Sequence, residues 1–173
     1  LLSSRGKEGG ALAICEIDSP ISVSAIVPNY NYRRYLGSRL QSIVKQAYPV
    51  KEIIFLDDCS RDGSVELARE HLSNSDIPFR IVANELNSGN VSAQWMKGID
   101  MANSDYVWIA EADDYAEPTL LAELATLCLQ HKEHNPTVCF SESWMVDQFG
   151  HIGSSYLDYH LGIEEISGSI FKT

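Results

Sequence analysis

The sequence predicts an α/β fold in which a mostly parallel sheet is flanked by helices. Three observations support this prediction. Short apolar runs alternate with amphipathic segments of helical length, turn residues separate them, and acidic residues gather at the ends of two apolar runs. At 173 residues, with 45% apolar and 21% charged side chains, the chain is long enough to bury the core of one domain.

Five apolar runs are interpreted as strands, because they are short, rich in β-branched or aromatic residues and bounded by polar turns. The first of them is closed by Pro28–Asn29, a turn signal. In chain order, the predicted strands are 22–27, 51–56, 79–84, 105–110 and 137–146. After Gly150 the periodicity fades.

Four segments between these strands carry apolar residues at helical spacing, which predicts βαβ units and therefore a parallel sheet. Helix start signals occur at Asp62–Ser64 for the second segment, at Ser88 or Asn90 for the third and at Pro118 for the fourth. The apolar positions are Leu36, Leu40, Ile43 and Val44, then Val65, Leu67, Ala68 and Leu72, then Val91, Trp95, Ile99 and Ala102, then Leu121, Leu124 and Leu127 or Cys128.

Charge and composition exclude several classes of function. A net charge of −11 argues against nucleic acid as a partner, since phosphate backbones are bound by surplus Lys and Arg. No apolar stretch approaches the roughly 18 residues of a membrane span. The four cysteines, Cys15, Cys59, Cys128 and Cys139, lack metal-site spacing and indicate buried free thiols in a reducing compartment. We therefore expect a cytoplasmic protein, with residues 1–20 as a lead-in of a longer chain.

Three groups of side chains directly follow predicted strands, namely Tyr30, Asp57–Asp58 and Glu111–Asp114. The carboxyl ends of parallel strands line one edge of an open α/β sheet, and ligands bind along that edge. Residues far apart in the sequence are therefore expected to share one crevice.

The carboxylates of Glu111, Asp113 and Asp114 would repel one another unless a cation neutralised them. Mg²⁺ or Mn²⁺ suits such a group, because these ions take one or two carboxylates and keep positions open for phosphate oxygens. The alternative is a solvated acidic loop before a helix that begins near Pro118, where the helix dipole favours negative charge.

The other candidates also have two interpretations each. Asp57 or Asp58 could cap the turn that follows, or one of them could accept an N–H from a nucleobase edge. Tyr30 could fill the core, or its ring could stack on a base. The turn 87–90 could start a helix, or it could approach phosphate or ribose. No phosphate-binding GxxxxGK[ST] loop and no GxGxxG are present.

Together these stretches resemble the nucleotide-sugar-binding half of glycosyltransferase family 2, whose members have the Rossmann-like GT-A fold. The resemblance runs from about Val23 to about Leu127 through "VSAIVPNYN", "SIVKQAYPVKEIIFLDDCSRDGS", "NSGNVSAQWMKGIDMA" and "DYVWIAEADDYAEP". It implies a nucleotide-sugar-binding domain over 21–150, followed by the start of an acceptor-side region over 151–173. One departure is Glu111, which replaces the aspartate usual at that position.

The resemblance also implies roles for individual residues. Tyr30 would stack on the nucleoside with Pro28 beside it, and Asp58 would contact the base, usually uracil. The acidic motif would hold the metal and the ribose, so we assign Asp113 to the nucleotide, and Asp114, Asp113 and Glu111 to Mn²⁺ or Mg²⁺. Asn90, in the turn before the third helix, completes the predicted nucleotide-binding set.

The function implied is an inverting glycosyltransferase that moves a sugar from a nucleotide-diphosphate donor, with UDP expected, to a glycan or lipid-linked acceptor. Other parts of a longer protein would bring it near a membrane. No catalytic base is assigned, because none of the carboxylates of Glu142, Asp147, Asp158, Glu164 and Glu165 sits in a matching motif. The alternatives are a catalytically incomplete nucleotide-binding module and, less favoured, a sugar nucleotidyltransferase or a phosphoacceptor receiver domain.

Overall fold

The computed structural model describes residues 21–141, 143–147 and 151–155. The predicted lead-in and most of the predicted acceptor-side segment lie outside these residues. In chain order, the elements are β1 (Val23–Asn29), α1 (Arg33–Val44), β2 (Glu52–Asp57), α2 (Ser64–Ser73), β3 (Phe79–Ala83), α3 (Val91–Met101), β4 (Tyr106–Ile109), α4 (Leu120–Gln130), a 3₁₀ turn (Lys132–His134), β5 (Trp144–Val146) and β6 (Ile152–Ser155).

The central sheet has four parallel strands in the order β3-β2-β1-β4, which confirms the predicted α/β class. The chain steps in one direction from β1 to β3 and then returns past β1 to β4. Right-handed connections therefore place α1 and α2 on one face of the sheet and α3 on the other. Consistent with this, α1 and α2 pack on each other, whereas α3 packs on β1 and β2.

The first strand runs two residues beyond its predicted end, through Pro28 to Asn29. Proline is tolerated in this central strand because the pairing of β1 with β4 ends at Ile26 and Ile109, two residues before Pro28. Pro28–Asn29 was predicted to be a turn after β1, but both residues belong to the strand.

The inward face of α3 differs from the predicted one. Val91 and Ile99 are exposed, whereas Gln94 and Gly98 are buried. A Cβ atom added at Gly98 would lie 2.4 Å from Cγ2 of Ile26, so the glycine allows α3 to approach β1 closely. The apolar spacing identified a helix here but not its buried side.

The described chain divides into two compact units, the first comprising 21–44 and Val50–Tyr115, and the second Lys45–Pro49 with the residues from Ala116 onward. In the second unit, α4 begins at Leu120, two residues after Pro118. The Oε1 atom of Gln46 accepts the backbone N–H of Leu121 at 3.0 Å and so satisfies one donor of the first turn of this helix.

The predicted fifth strand was largely wrong. Among the described residues of 137–146, the strand comprises Trp144–Val146, which pairs antiparallel with β6 in a separate two-stranded sheet. The apolar composition of this segment predicted a buried strand. Val138 and Phe140 are instead exposed. The described cysteines, Cys59, Cys128 and Cys139, are free thiols as expected, although only Cys128 is buried. Within the described ranges, no helix combines the length and the apolar character needed to span a bilayer.

Candidate functional site

The carboxyl edge of the four-stranded sheet carries the predicted site residues, all of them in the first compact unit. Tyr30 follows β1, Asp58 follows β2, and the acidic cluster, defined as Glu111, Asp113 and Asp114, follows β4. Because the strands are parallel and β1 lies between β2 and β4, these groups end at the same edge, at the point where the strand order reverses direction.

The two adjacent aspartates after β2 have different environments. Asp57 is 1% exposed. One of its carboxylate oxygens accepts from Nδ2 of Asn29 at 2.8 Å, and the other accepts from the backbone N–H of Ser60 at 2.8 Å. Asp57 therefore fixes the turn that follows β2 and joins it to the end of β1, as the capping interpretation predicted for one member of the pair.

Asp58 is also buried and holds the loop between β3 and α3. Its carboxylate accepts from Asn84 Nδ2 at 2.7 Å, from Gln94 Nε2 at 3.0 Å and from the Ser88 hydroxyl at 2.8 Å. The Ser88 backbone N–H donates to both carboxylate oxygens, at 2.9 and 3.0 Å. Burial opposes ionisation, but the hydrogen bonds from Ser88 and Asn84 outweigh it and lower the pKa of Asp58. A base contact by the same carboxylate stays a prediction.

The remaining predicted nucleotide contacts differ in exposure. Tyr30 is 47% exposed, so its ring has a free surface for stacking. Pro28 is buried within β1. Asn90 is exposed and serves as the N-cap of α3, where its Oδ1 accepts from the Ala93 N–H at 3.2 Å. This confirms the predicted cap, while contact of Asn90 or Pro28 with a nucleotide stays a prediction.

The acidic cluster is partly desolvated and mutually repulsive. Loss of solvation raises the pKa of Glu111, the hydrogen bond from Trp95 opposes the rise, and the charges of Asp113 and Asp114 add to it. Loss of solvation also raises the pKa of Asp114, against the attraction of Arg39. Trp95 Nε1 donates to Glu111 Oε1 at 2.7 Å, which orients this longer carboxylate.

The residues of the cluster fit a hard divalent cation. Three carboxylates supply oxygen donors, and a cation would relieve the raised pKa values of Glu111 and Asp114. The ligand atoms of the three carboxylates do not all lie within 4.8 Å of one another. Among the described residues, the one group of three potential ligand atoms within 4.8 Å of one another is His131, Glu133 and His134, a largely exposed group in the second compact unit.

Sequence reasoning missed three residues that shape this edge, namely Arg39, Gln94 and Trp95. Arg39 is buried in α1. A signal for it exists in the sequence, because Arg39 stands between Leu36 and Leu40, within the stripe that faces the core. On α3, the apolar pattern identified Trp95 as a packing residue but gave no sign of its hydrogen bond to Glu111, and it left Gln94 outside the predicted inward face.

Comparison with known proteins bears directly on this arrangement. Residues 24–151 match Glycosyl transferase family 2. The chain belongs to glycosyl transferase family 2. This family 2 chain is 30% identical over 131 residues to the uncharacterized glycosyltransferase YibD of Escherichia coli (strain K12), covering 73% of the chain and 37% of that protein. It is also 30% identical over 160 residues to Glycosyltransferase GlyA of Streptococcus pneumoniae serotype 4 (strain ATCC BAA-334 / TIGR4), covering 91% of the chain and 22% of that protein.

Solved structures of glycosyltransferases share the fold of this family 2 chain. TarS 1-349 of S. aureus in complex with UDP-GlcNAc is 28% identical, with a TM-score of 0.60 over 65% of the chain and 32% of TarS 1-349. The mannosyltransferase PcManGT from Pyrobaculum calidifontis, in complex with GDP-Man and Mn²⁺, is 23% identical, with a TM-score of 0.58 over 64% of the chain and 33% of that structure. The second likeness concerns the fold alone.

The predicted family and the predicted GT-A-type fold are thereby confirmed, and the relatives are glycosyltransferases, the predicted class of enzyme. The family 2 chain spans less than two thirds of the length of the curated relatives it matches, 37% of YibD and 22% of GlyA.

Proposed function

We propose that this chain is the donor-binding part of an inverting glycosyltransferase. It takes a nucleotide-diphosphate sugar, with UDP as the nucleotide, and the sugar passes to a glycan or lipid-linked acceptor. The observation that carries the proposal is the meeting of Tyr30, Asp58 and the acidic cluster at one edge of a parallel sheet. The likeness to TarS, solved in complex with UDP-GlcNAc, supports the choice of UDP.

Each part of the donor has a proposed partner. The exposed ring of Tyr30 stacks on the base, a contact worth about 1–3 kcal/mol per base. Asp58, whose pKa is held low by its hydrogen bonds despite burial, accepts an N–H of the base. Asp113 binds the ribose, and Asp114 binds the cation together with Asp113 and Glu111. Pro28 and Asn90 border the nucleotide.

The cleavage step develops negative charge on the departing diphosphate. Mn²⁺ or Mg²⁺ at the acidic cluster would supply Lewis-acid stabilisation of that charge. The carboxylates of Asp114 and Asp113 would hold this ion, while Tyr30 and Asp58 fix the nucleoside end of the donor. Attack by the acceptor hydroxyl in a single displacement inverts the anomeric configuration. A base, to which no residue is assigned, takes the hydroxyl proton.

Of the carboxylates considered as the base, only Asp147 is described. Its carboxylate accepts the His151 backbone N–H at 2.9 Å and contacts the His151 ring nitrogen Nδ1 at 2.9 Å. Glu142, Asp158, Glu164 and Glu165 lie outside the described residues. We therefore assign residues to the donor half of the reaction alone. As part of the same proposal, the protein is cytoplasmic, and other parts of a longer protein bring it near a membrane.

The test is calorimetric titration with UDP, GDP, dTDP and CMP, each with Mn²⁺ and again with EDTA. We expect UDP to bind with Mn²⁺ and to lose most of its affinity with EDTA. Asp113→Asn/Asp114→Asn should remove the metal-dependent part of binding, and Asp58→Asn should remove nucleotide selectivity. Absence of binding to all four nucleotides, with and without Mn²⁺, would overturn the proposal.

Two controls separate recognition from local unfolding. Asp100→Asn removes an exposed carboxylate on α3 and should leave binding unchanged. Asn84→Ala removes one hydrogen-bond donor to Asp58 and loosens the same loop, but it keeps the Asp58 charge. Equal losses in Asp58→Asn and Asn84→Ala would show that Asp58 acts on the loop and not on the base.

A further inference from the structure

Arg39 has an unusual environment for a charged side chain. It is 2% exposed, and its Nε and Nη1 groups have no hydrogen-bond partner. Its guanidinium carbon lies 4.8 Å from the centre of the Trp108 ring, within cation–π range. A buried charge is tolerated only with compensation, and stacking on one ring leaves two nitrogens, with three N–H donors, open.

Burial lowers the pKa of Arg39, and the charges of Asp114, Glu111 and Asp113 oppose part of this effect. Trp108, on which Arg39 stacks, lies in β4 three residues before Glu111, so the guanidinium is held beneath the strand that ends in the cluster. No ion pair within 4.0 Å joins Arg39 to a carboxylate in the part of the chain that the structure describes. Its charge therefore acts on the cluster across a gap.

The charge on Arg39 persists at neutral pH. Burial lowers its pKa to about 10, while the carboxylates of Asp114, Glu111 and Asp113 pull in the opposite direction. Arg39 therefore places a positive charge near the end of β4 that carries the acidic cluster.

We propose that Arg39 is a positioning residue of the cation site, a fixed internal positive charge that weakens the hold of the acidic cluster on cations in proportion to the charge of the ion. The inference rests on the proposed function, because it assumes that the cluster binds the cation of the donor complex. Arg39 does not touch the ligand. It acts through the carboxylates, and it disfavours a trivalent ion more than a divalent one.

Replacing Arg39 by a neutral side chain should tighten cation binding, most strongly for the more highly charged ion. The interaction between a fixed charge and an ion scales with the charge of the ion. We expect Arg39→Met to tighten Mn²⁺ binding about tenfold, and Tb³⁺ binding about thirtyfold, by that scaling. Mn²⁺ is measured by calorimetry, and Tb³⁺ by luminescence sensitised by the neighbouring tryptophans.

Two variants serve as controls, and a third is held as a substitute for Arg39→Met. Arg69→Met removes the same charge from an exposed position of α2 and should change both affinities by less than about twofold, because exposed charges are screened. Arg39→Lys keeps the charge and should resemble the wild type. Arg39→Gln replaces Arg39→Met if circular dichroism shows that the latter fails to fold.

The outcomes separate this inference from the proposed function. No Mn²⁺ binding by the wild type overturns both. If the wild type binds Mn²⁺ but a neutral Arg39 variant has the same cation affinities as Arg69→Met, the proposed role of Arg39 is overturned and the proposed function is not. Arg39 would then be a core-filling residue. Equal gains for Mn²⁺ and Tb³⁺ also overturn the role, because a change of shape does not scale with ion charge. The role of Arg39 is supported if the neutral variant gains more affinity for Tb³⁺ than for Mn²⁺ and Arg39→Lys shows no such gain.

Discussion

The indole N–H of Trp95 donates a 2.7 Å hydrogen bond to Oε1 of Glu111, which links α3 to the residue that follows β4. These two elements carry different parts of the candidate site. The contact also explains how a glutamate can replace the usual aspartate here, because the indole restrains the longer side chain. The orientation of Glu111 is thus set by a residue 16 positions away.

We expect Trp95→Phe to cost about 1–2 kcal/mol of unfolding free energy, since a hydrogen bond to a charged acceptor is lost. Urea unfolding of Trp95→Phe, Glu111→Gln and the double variant gives the coupling between the two residues. We expect a coupling of about 1 kcal/mol. A coupling near zero would mean that the contact contributes nothing in solution.

Asp58→Asn should destabilise the chain by about 2–3 kcal/mol at pH 6, because several donors lose a charged acceptor. The folded pKa of Asp58 is lowered, so its stabilisation is present above the unfolded pKa of about 3.9 and is lost as the pH falls through the folded value. The difference between wild type and variant should therefore shrink at pH 3.5. Urea unfolding at both pH values checks this, and a constant difference would contradict it.

Two glycines inside helices should respond in opposite ways to alanine. At Gly98 the new Cβ would lie 2.4 Å from Ile26, so we expect Gly98→Ala to destabilise the chain by about 1–3 kcal/mol. At Gly37 the nearest atom, Nε2 of His71, is 3.5 Å away, so Gly37→Ala should stabilise α1 by about 0.5–1 kcal/mol. Thermal unfolding of both variants decides the matter. Destabilisation of similar size at both sites would contradict the assigned packing.

Cys59 adopts a φ of 68°, a left-handed conformation that costs a side chain with a Cβ about 1–2 kcal/mol. Cys59→Gly should relieve this strain and raise the free energy of unfolding by about 0.5–1 kcal/mol, after the entropy that glycine loses on folding. Cys59→Ala is the control, since it keeps the Cβ and the strain. If urea unfolding shows the two variants equally stable, the strain is not present in solution.

The order of strands and helices was predictable because the periods that define them are local. The shared edge followed from parallel topology alone. The different environments of Asp57 and Asp58 were not predictable, since both are neighbours in sequence and both are buried. They are distinguished by donors from Asn29 on one side, and from Asn84 and Gln94 on the other, all distant in the chain.

Arg39 shows a second limit of sequence reasoning. Helical spacing places it within the buried stripe of α1, but pattern alone does not say what offsets its charge. The answer lies on β4, through the Trp108 ring and the carboxylates beyond it. Residues 137–141 show the opposite error, because their apolar side chains predicted burial and yet Val138 and Phe140 are exposed.

The strand order also gives the two parts of the site different folding histories. Pairing of β1 with β2 brings together residues such as Ser24 and Glu52, 28 positions apart, whereas contact between Ser22 and Asp105, where β4 joins β1, spans 83 positions. The longer loop costs about 1 kcal/mol more to close. Because β4 is a four-residue strand at one edge of the described sheet, we expect it to open more readily than the central strands β1 and β2. Such an opening removes the acidic cluster while Tyr30 and Asp58 keep their places, so amide exchange in β4 should be faster than in β1 and β2.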